Sequence, residues 1–234
     1  MNMKNYYRYL HLFEKEKGGV GSTGSLVTAA HAVMKRGESV VFVECSVTQA
    51  DVSNAYSDRH IVHEVDLKSD DAADRILSAV QQADPGARIF VNVPGGHLED
   101  LDRVHDLVRY VQKKYPDLMR VALTWTMGLD ASSRTTLDAL RMSDIPGRLI
   151  LNLPRWHGDL SEYKNVDKDL FDSVRTEGGV ILQMPELTSH LYNRFRTDEI
   201  GLDVLPQAPC MTFGNVAAFE MWEDEVAASL AGIY

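Results

Sequence analysis

Along this chain, short apolar runs of strand length alternate with segments whose apolar residues recur every three to four positions. That alternation predicts a mostly parallel sheet covered by helices on both faces, an α/β fold. A first strand is expected over Tyr7 to Phe13, then a glycine-rich turn at Gly18 to Gly21. The helix that follows carries Leu26, Ala29, Ala30 and Val33 on one face and is closed by Gly37. Ser39 to Val43 is apolar after its first residue, as a strand buried on both faces requires, and it runs into a polar segment, Glu44 to Asp58. A short helix near Asp71 to Ala83 leads to a third strand, Arg88 to Val93, stopped by Pro94-Gly95-Gly96. Leu98, Leu101, Val104, Leu107, Val108 and Val111 are spaced for one buried helical stripe. Further strands are expected at Met119 to Thr124, Arg148 to Leu153 and Gly179 to Met184, with a helix over Ser132 to Leu140 and a polar stretch from Arg155 to Lys168. A last helix, Val216 to Leu230, turns Phe219, Trp222, Val226 and Leu230 inward.

The chain has 234 residues, 44% hydrophobic and 25% charged, which suits one α/β domain spanning 1–234. The net charge of −10 disfavours non-specific attraction to nucleic-acid backbones or anionic lipid. The basic pairs Lys113 with Lys114 and Arg194 with Arg196 read as solvated surface. The polar face of the last helix carries Glu220, Glu223, Asp224 and Glu225, the wrong sign for an anionic membrane surface. Cys45 and Cys210 cannot build a disulfide framework and suit free thiols in a reducing cytoplasm. Met1 to Phe13 shows no apolar run of an export signal, and no stretch reaches the roughly 18 apolar residues of a membrane span. A cytoplasmic location is therefore expected. The eight histidines lack metal-binding spacing, His60 with His63 being the nearest pair. No G-x-S-x-G elbow is present.

The informative segment is Lys17-Gly18-Gly19-Val20-Gly21-Ser22-Thr23, between a strand and a helix. Glycines there let backbone N–H groups turn inward around a phosphate at the positive helix N-terminus. A tight strand-to-helix turn is the plainer alternative.

This segment resembles the deviant Walker A motif, K-G-G-x-G-K-[S/T], of the ParA/MinD family of P-loop ATPases. The resemblance implies ATP or ADP with Mg²⁺ as cofactor, bound by Lys17, Gly18, Gly19, Val20, Gly21, Ser22 and Thr23. In it, Lys17 matches the lysine that reaches across a sandwich homodimer, and Thr23 matches the hydroxyl that binds Mg²⁺. The second lysine, which grips the β and γ phosphates, falls on Ser22, and serine carries no charge. Losing one such contact typically costs about 10² to 10³ in rate. The family's D-x-D pair falls on Glu44 and Ser46, so one carboxylate is retained a methylene longer and the other is lost. Asp51 could substitute from a shifted loop or be a solvated turn residue. The Walker B aspartate falls on Asn92, whose amide lacks the charge that holds hydrated Mg²⁺. Asn152 resembles the residue that reads the adenine edge, and Met184-Pro185 the base-side loop; Asn152 is equally readable as a turn residue. Asp51-Val52-Ser53-Asn54-Ala55 and Val65-Asp66-Leu67 extend a loose similarity to the TraL/MobD proteins of conjugative and mobilisable plasmids.

The expected function is a pseudo-ATPase, with or without bound nucleotide. It would act through protein partners, DNA-bound ones included, in plasmid partition, conjugative transfer or intracellular positioning. Two alternatives stay open. One is a weak Mg²⁺-dependent ATPase in which Lys17 replaces the missing lysine and Glu44 or Asp51 the missing carboxylates. The other is a nucleotide-free interaction module presenting Trp156 and Tyr163 as anchors.

Overall fold

The computed structural model describes residues 7–46, 48–163 and 166–234. Residues 1–6 of the N-terminal stretch and residues 164–165 of the polar stretch at 155–168 lie outside them. Among the described residues, the first half of the chain builds β1 (Arg8–Glu14), α1 (Ser22–Lys35), β2 (Val40–Glu44), α2 (Asp51–Tyr56), β3 (Ile61–Glu64), α3 (Ala72–Gln82), β4 (Arg88–Asn92) and α4 (Leu98–Lys114). The second half adds β5 (Met119–Thr126), α5 (Ala131–Met142), β6 (Arg148–Asn152), α6 (Lys168–Thr176), β7 (Val180–Leu182), α7 (Ser189–Thr197) and α8 (Phe213–Leu230). The strands form a seven-stranded sheet in the order β3-β2-β4-β1-β5-β6-β7, and every pairing is parallel. The α/β fold read from the pattern is the fold observed.

Period-two alternation divides the core. Leu10, Leu12, Val41, Val43, Ile89 and Val91 pack under α3 and α4, through Ile76, Val80, Leu101, Val104 and Val108. Leu123, Trp125, Leu149 and Leu151 extend that face beneath α5 and α6. On the other face, Phe13, Phe42, Phe90, Ile150 and Leu182 meet α1, α2, α7 and α8. The inward stripe of α8 is buried as expected: Phe219, Trp222, Val226 and Leu230 are at most 5% exposed. His31 on α1 lies 2.7 Å from Glu223 on α8, fastening the two helices.

His11 sits within this second face, stacked on Phe90 at 4.9 Å, and neither ring nitrogen has a hydrogen-bond partner among the described residues. Burial, aided by the Arg88 charge, lowers its pKa to about 3, so it packs as a neutral aromatic ring.

Most expected boundaries moved by one to three residues, and four elements are additional. β1 and β2 each end one residue later than their apolar runs, at Glu14 and Glu44. β7 covers only Val180–Leu182 of the expected Gly179 to Met184. The polar segment Glu44 to Asp58 contains α2, and β3 follows it; α6 and α7 fill stretches between the expected elements. These elements lack a periodic signal. β3 is an edge strand with no fully buried residue, and α6 and α7 each bury only two side chains, Leu170 with Val174 and Leu191 with Phe195. In α4, Leu101, Val104 and Val108 are buried, and Leu107 and Val111 pack beside them.

Candidate nucleotide site

β1 lies between β4 and β5, so the turn leaving its carboxyl end opens where neighbouring connections diverge in an open α/β sheet, the usual place for a ligand crevice. Gly19 and Gly21 hold φ values of +82° and +84°, a left-handed region that side-chain-bearing residues avoid. Gly21 is the residue before the first turn of α1, and neither it nor any acidic residue in that turn caps the helix. The N-terminal N–H groups of α1 therefore keep their partial positive charge directed at the turn.

A cavity of about 530 Å³ lies over this turn, lined by Gly18, Gly19, Gly21, Ser22 and Thr23, by Asn92 and the segments that follow β2 and β4, and by Glu186, Tyr192 and Arg196. Its walls require small residues beneath them. A Cβ at Gly21 would stand 2.3 Å from the Trp156 indole, and one at Gly24 would stand 3.3 Å from the Tyr192 ring. Gly95 lets the loop after β4 close on the turn, since a Cβ there would meet the Lys17 carbonyl carbon at 2.3 Å. The Gly96 N–H donates to the Glu16 carbonyl at 2.9 Å, fixing that approach.

Where the resemblance expects a metal, the side chains bond to one another. The Thr23 hydroxyl donates to Asn92 Oδ1 at 3.1 Å, and the Asn92 amide donates to Glu44 Oε1 at 2.9 Å. Glu44 also accepts the N–H groups of Ser46, at 2.9 Å, and Val52, at 3.2 Å. Burial outweighs these donors and raises the Glu44 pKa to about 7. Thus a neutral amide lines this end of the cavity, and the buried carboxyl group behind it already accepts three N–H donors. That donor set does not fit Mg²⁺, which wants committed anionic oxygens in octahedral array. The glycine turn does fit a polyphosphate: Ser22 Oγ, in a residue 1% exposed, has no hydrogen-bond partner among the described residues and lines the cavity.

The other sequence-predicted residues divide. Ser46 and Asp51 line the cavity, and Asp51 lies 3.6 Å from Arg196, so one of the two basic residues read as plain surface belongs to the rim. Burial raises the Asp51 pKa against the pull of Arg196 and Lys15. Lys17, which the resemblance has reaching across a homodimer to a partner's nucleotide, lies outside this chain's own cavity and forms an exposed ion pair with Asp130, at the start of α5. Val20 turns into the core, 5% exposed. Asn152, expected at the base edge, is fully buried; its amide donates to Ser25 Oγ at 2.7 Å and Thr126 Oγ1 at 3.3 Å. Met184 is likewise core, and Glu186 and Leu187 just beyond it line the cavity. Trp156 and Tyr163 are not free anchors. Trp156 covers Gly21, and Tyr163, 1% exposed, donates its hydroxyl to the Pro154 carbonyl at 2.6 Å.

Sequence reasoning missed Lys15. It follows the last residue of β1, is 8% exposed and lines the cavity. A lysine beside a glutamate on each side reads as surface, and only the strand's burial reveals otherwise. Burial lowers its pKa to about 8 against the pull of Glu44 and Asp51. His60 pairs with Asp203 at 3.1 Å, and no group of three or more His, Cys, Asp or Glu residues among those described could hold a metal ion.

No family model matches the chain. It is 24% identical to protein MobD of Acidithiobacillus ferrooxidans, an alignment covering 96% of this chain and 97% of that protein. It is also 33% identical to ATP-dependent Clp protease proteolytic subunit 3 of Rhizobium meliloti over 119 residues, 51% of this chain and 55% of the subunit. Among solved structures, cell division protein FtsY of Thermotoga maritima matches with 19% identity and a TM-score of 0.48, covering 76% of this chain and 62% of FtsY. A nucleotide-binding protein from Archaeoglobus fulgidus in complex with ADP matches with 12% identity and a TM-score of 0.47, covering 87% and 89%. The chain thus spans less than two thirds of both the Clp subunit and FtsY. Among the described residues no helix is long and apolar enough to cross a membrane.

Proposed function

We propose that this chain is a ParA/MinD-type P-loop protein that holds ATP or ADP without turning it over efficiently. In this reading it acts from the cytoplasm through protein partners, DNA-bound ones included, in plasmid transfer, partition or positioning. The observation that supports it is one cavity with two contrasting ends. The glycine turn and the uncapped α1 N-terminus leave donors open for phosphate, while Thr23, Asn92 and Glu44 close on one another where hydrolysis would need a metal and a water. Mg²⁺ enters, on this reading, as the counter-ion of the nucleotide, and the protein adds little to its coordination. The full-length similarity to MobD supports the transfer process, and an ATP-dependent homodimer follows from the family resemblance.

Isothermal titration with ATP, ADP and a non-hydrolysable ATP analogue, with Mg²⁺ and again with EDTA, tests this directly. Micromolar binding that survives EDTA, with phosphate release near background, is the expected result. Phosphate release that depends on Mg²⁺ and disappears in Lys17→Ala would overturn it in favour of a weak ATPase. Absence of any nucleotide binding would leave an interaction module. Light scattering with and without ATP reads the dimer.

A further inference from the structure

We propose that Lys15, at the carboxyl end of β1, supplies the phosphate-directed cation that the turn has lost at Ser22; this rests on the nucleotide reading above.

Two lysines stand two positions apart here and have opposite surroundings. The Lys17 side chain is 51% exposed and already neutralised by Asp130. Lys15 is 8% exposed and shares its cavity with Gly18, Gly19, Ser22 and Thr23. Glu44 and Asp51 act on it through space, but among the described residues no acceptor lies at hydrogen-bond or ion-pair distance from its ammonium group. An ammonium on a side chain this buried keeps only part of its hydration and has no bonded acceptor to replace the rest, which is costly. The strain is relieved by an anion that enters the cavity. Ser22 repeats the signal: the residue lines the same cavity, and its buried Oγ has no hydrogen-bond partner among the described residues. A cation and a hydroxyl, both without partners beside an uncapped helix N-terminus, specify an anion with several oxygens, the polyphosphate of a nucleotide. Asp51 is paired with Arg196 and Glu44 is saturated by N–H donors, so neither carboxylate competes at bonding distance for the Lys15 ammonium.

The test is calorimetric titration of the full chain with ATP and, separately, inorganic tripolyphosphate, in the wild type, Lys15→Met, Lys17→Met and the double variant Lys15→Met with Ser22→Lys. Methionine keeps the aliphatic stem and removes the charge. Lys15→Met is expected to weaken both ligands by about 10- to 100-fold, as for a lost charged hydrogen bond. Lys17→Met is expected to weaken both ligands less than Lys15→Met, its side chain being exposed and paired with Asp130, and Ser22→Lys in the double variant to recover part of the loss. Where Lys15→Met does not fold, the wild type carries the test: saturating tripolyphosphate should protect Lys15, and not Lys17, from an amine-reactive label read by mass spectrometry. Unchanged affinity in folded Lys15→Met, or unchanged Lys15 labelling, overturns this assignment while nucleotide binding stands. A wild type that binds neither ATP nor tripolyphosphate overturns the nucleotide reading itself.

Discussion

The turn after β1 and the ends of β2 and β4 face each other across one cavity, yet they have diverged to different degrees from the pattern they resemble. What the turn must provide is backbone: two residues at positive φ, a close approach at Gly95 and an uncapped helix N-terminus, all of which are present. What the strand ends must provide is side-chain charge, and there Ser46 and Asn92 stand where carboxylates are expected. Binding geometry built from peptide groups tolerates change in neighbouring side chains. Chemistry that depends on placed charges does not, because an amide of the same shape carries none of the electrostatics.

That contrast can be broken most severely at Gly95. Gly95→Ala drives a Cβ into the Lys17 backbone at 2.3 Å, with an expected loss of about 3 kcal/mol or more and of nucleotide binding; urea unfolding and calorimetry read both. The strand-end side is probed by pH. The folded pKa of Glu44, about 7, lies above its ordinary 4.5, so the folded state binds more protons than the unfolded one between those values. The stabilisation is complete below pH 4.5 and is lost as pH rises through 7, on the order of 3 kcal/mol at most. His11 has the opposite sign, since its folded pKa of about 3 makes stability fall as pH drops below 6.5. The difference in unfolding free energy between wild type and Glu44→Gln therefore isolates the Glu44 slope, and a flat difference across pH 4.5 to 7 would refute it.

Smaller effects sharpen the comparison. Asn92→Asp sets a second carboxylate against Glu44, now 2.9 Å from the Asn92 amide. It should destabilise by about 2 kcal/mol without metal and recover in millimolar Mg²⁺, a melting-temperature dependence that wild type is expected to lack. Trp156→Ala removes the wall over Gly21, with an expected loss of about 1 kcal/mol, or roughly tenfold, in nucleotide affinity and a modest fall in melting temperature, since the indole also packs against the core. Lys17→Ala breaks only the exposed pair with Asp130 and should leave the melting temperature unchanged.

Legibility followed signal strength. The apolar runs of β2, β4 and β6 are buried on both faces and declare themselves without neighbours. β3 is an edge strand with no buried residue, and α7 is held by two side chains, so neither repeats a pattern long enough to read. In the site, Gly18, Gly19, Gly21, Ser22, Thr23, Ser46 and Asn92 were legible because the order of elements ties each to a strand end. Lys15, Tyr192 and Arg196 were not. Each is made part of the cavity by where its element packs, and nothing in the residues beside it says so.

Sequence alone determined the parallel α/β architecture, the glycine turn and the replacement of charged residues at three positions, because periodicity, glycine backbone freedom and residue charge are local properties. Tertiary structure decided which lysine faces the cavity, that Asn152 and Tyr163 are core, and that Thr23, Asn92 and Glu44 bond to one another. Those outcomes depend on the register of β1 against β4 and β2 against β4 and on how α1 and α7 seat against the sheet, and burial and hydrogen bonding between distant residues exist only once that packing is made.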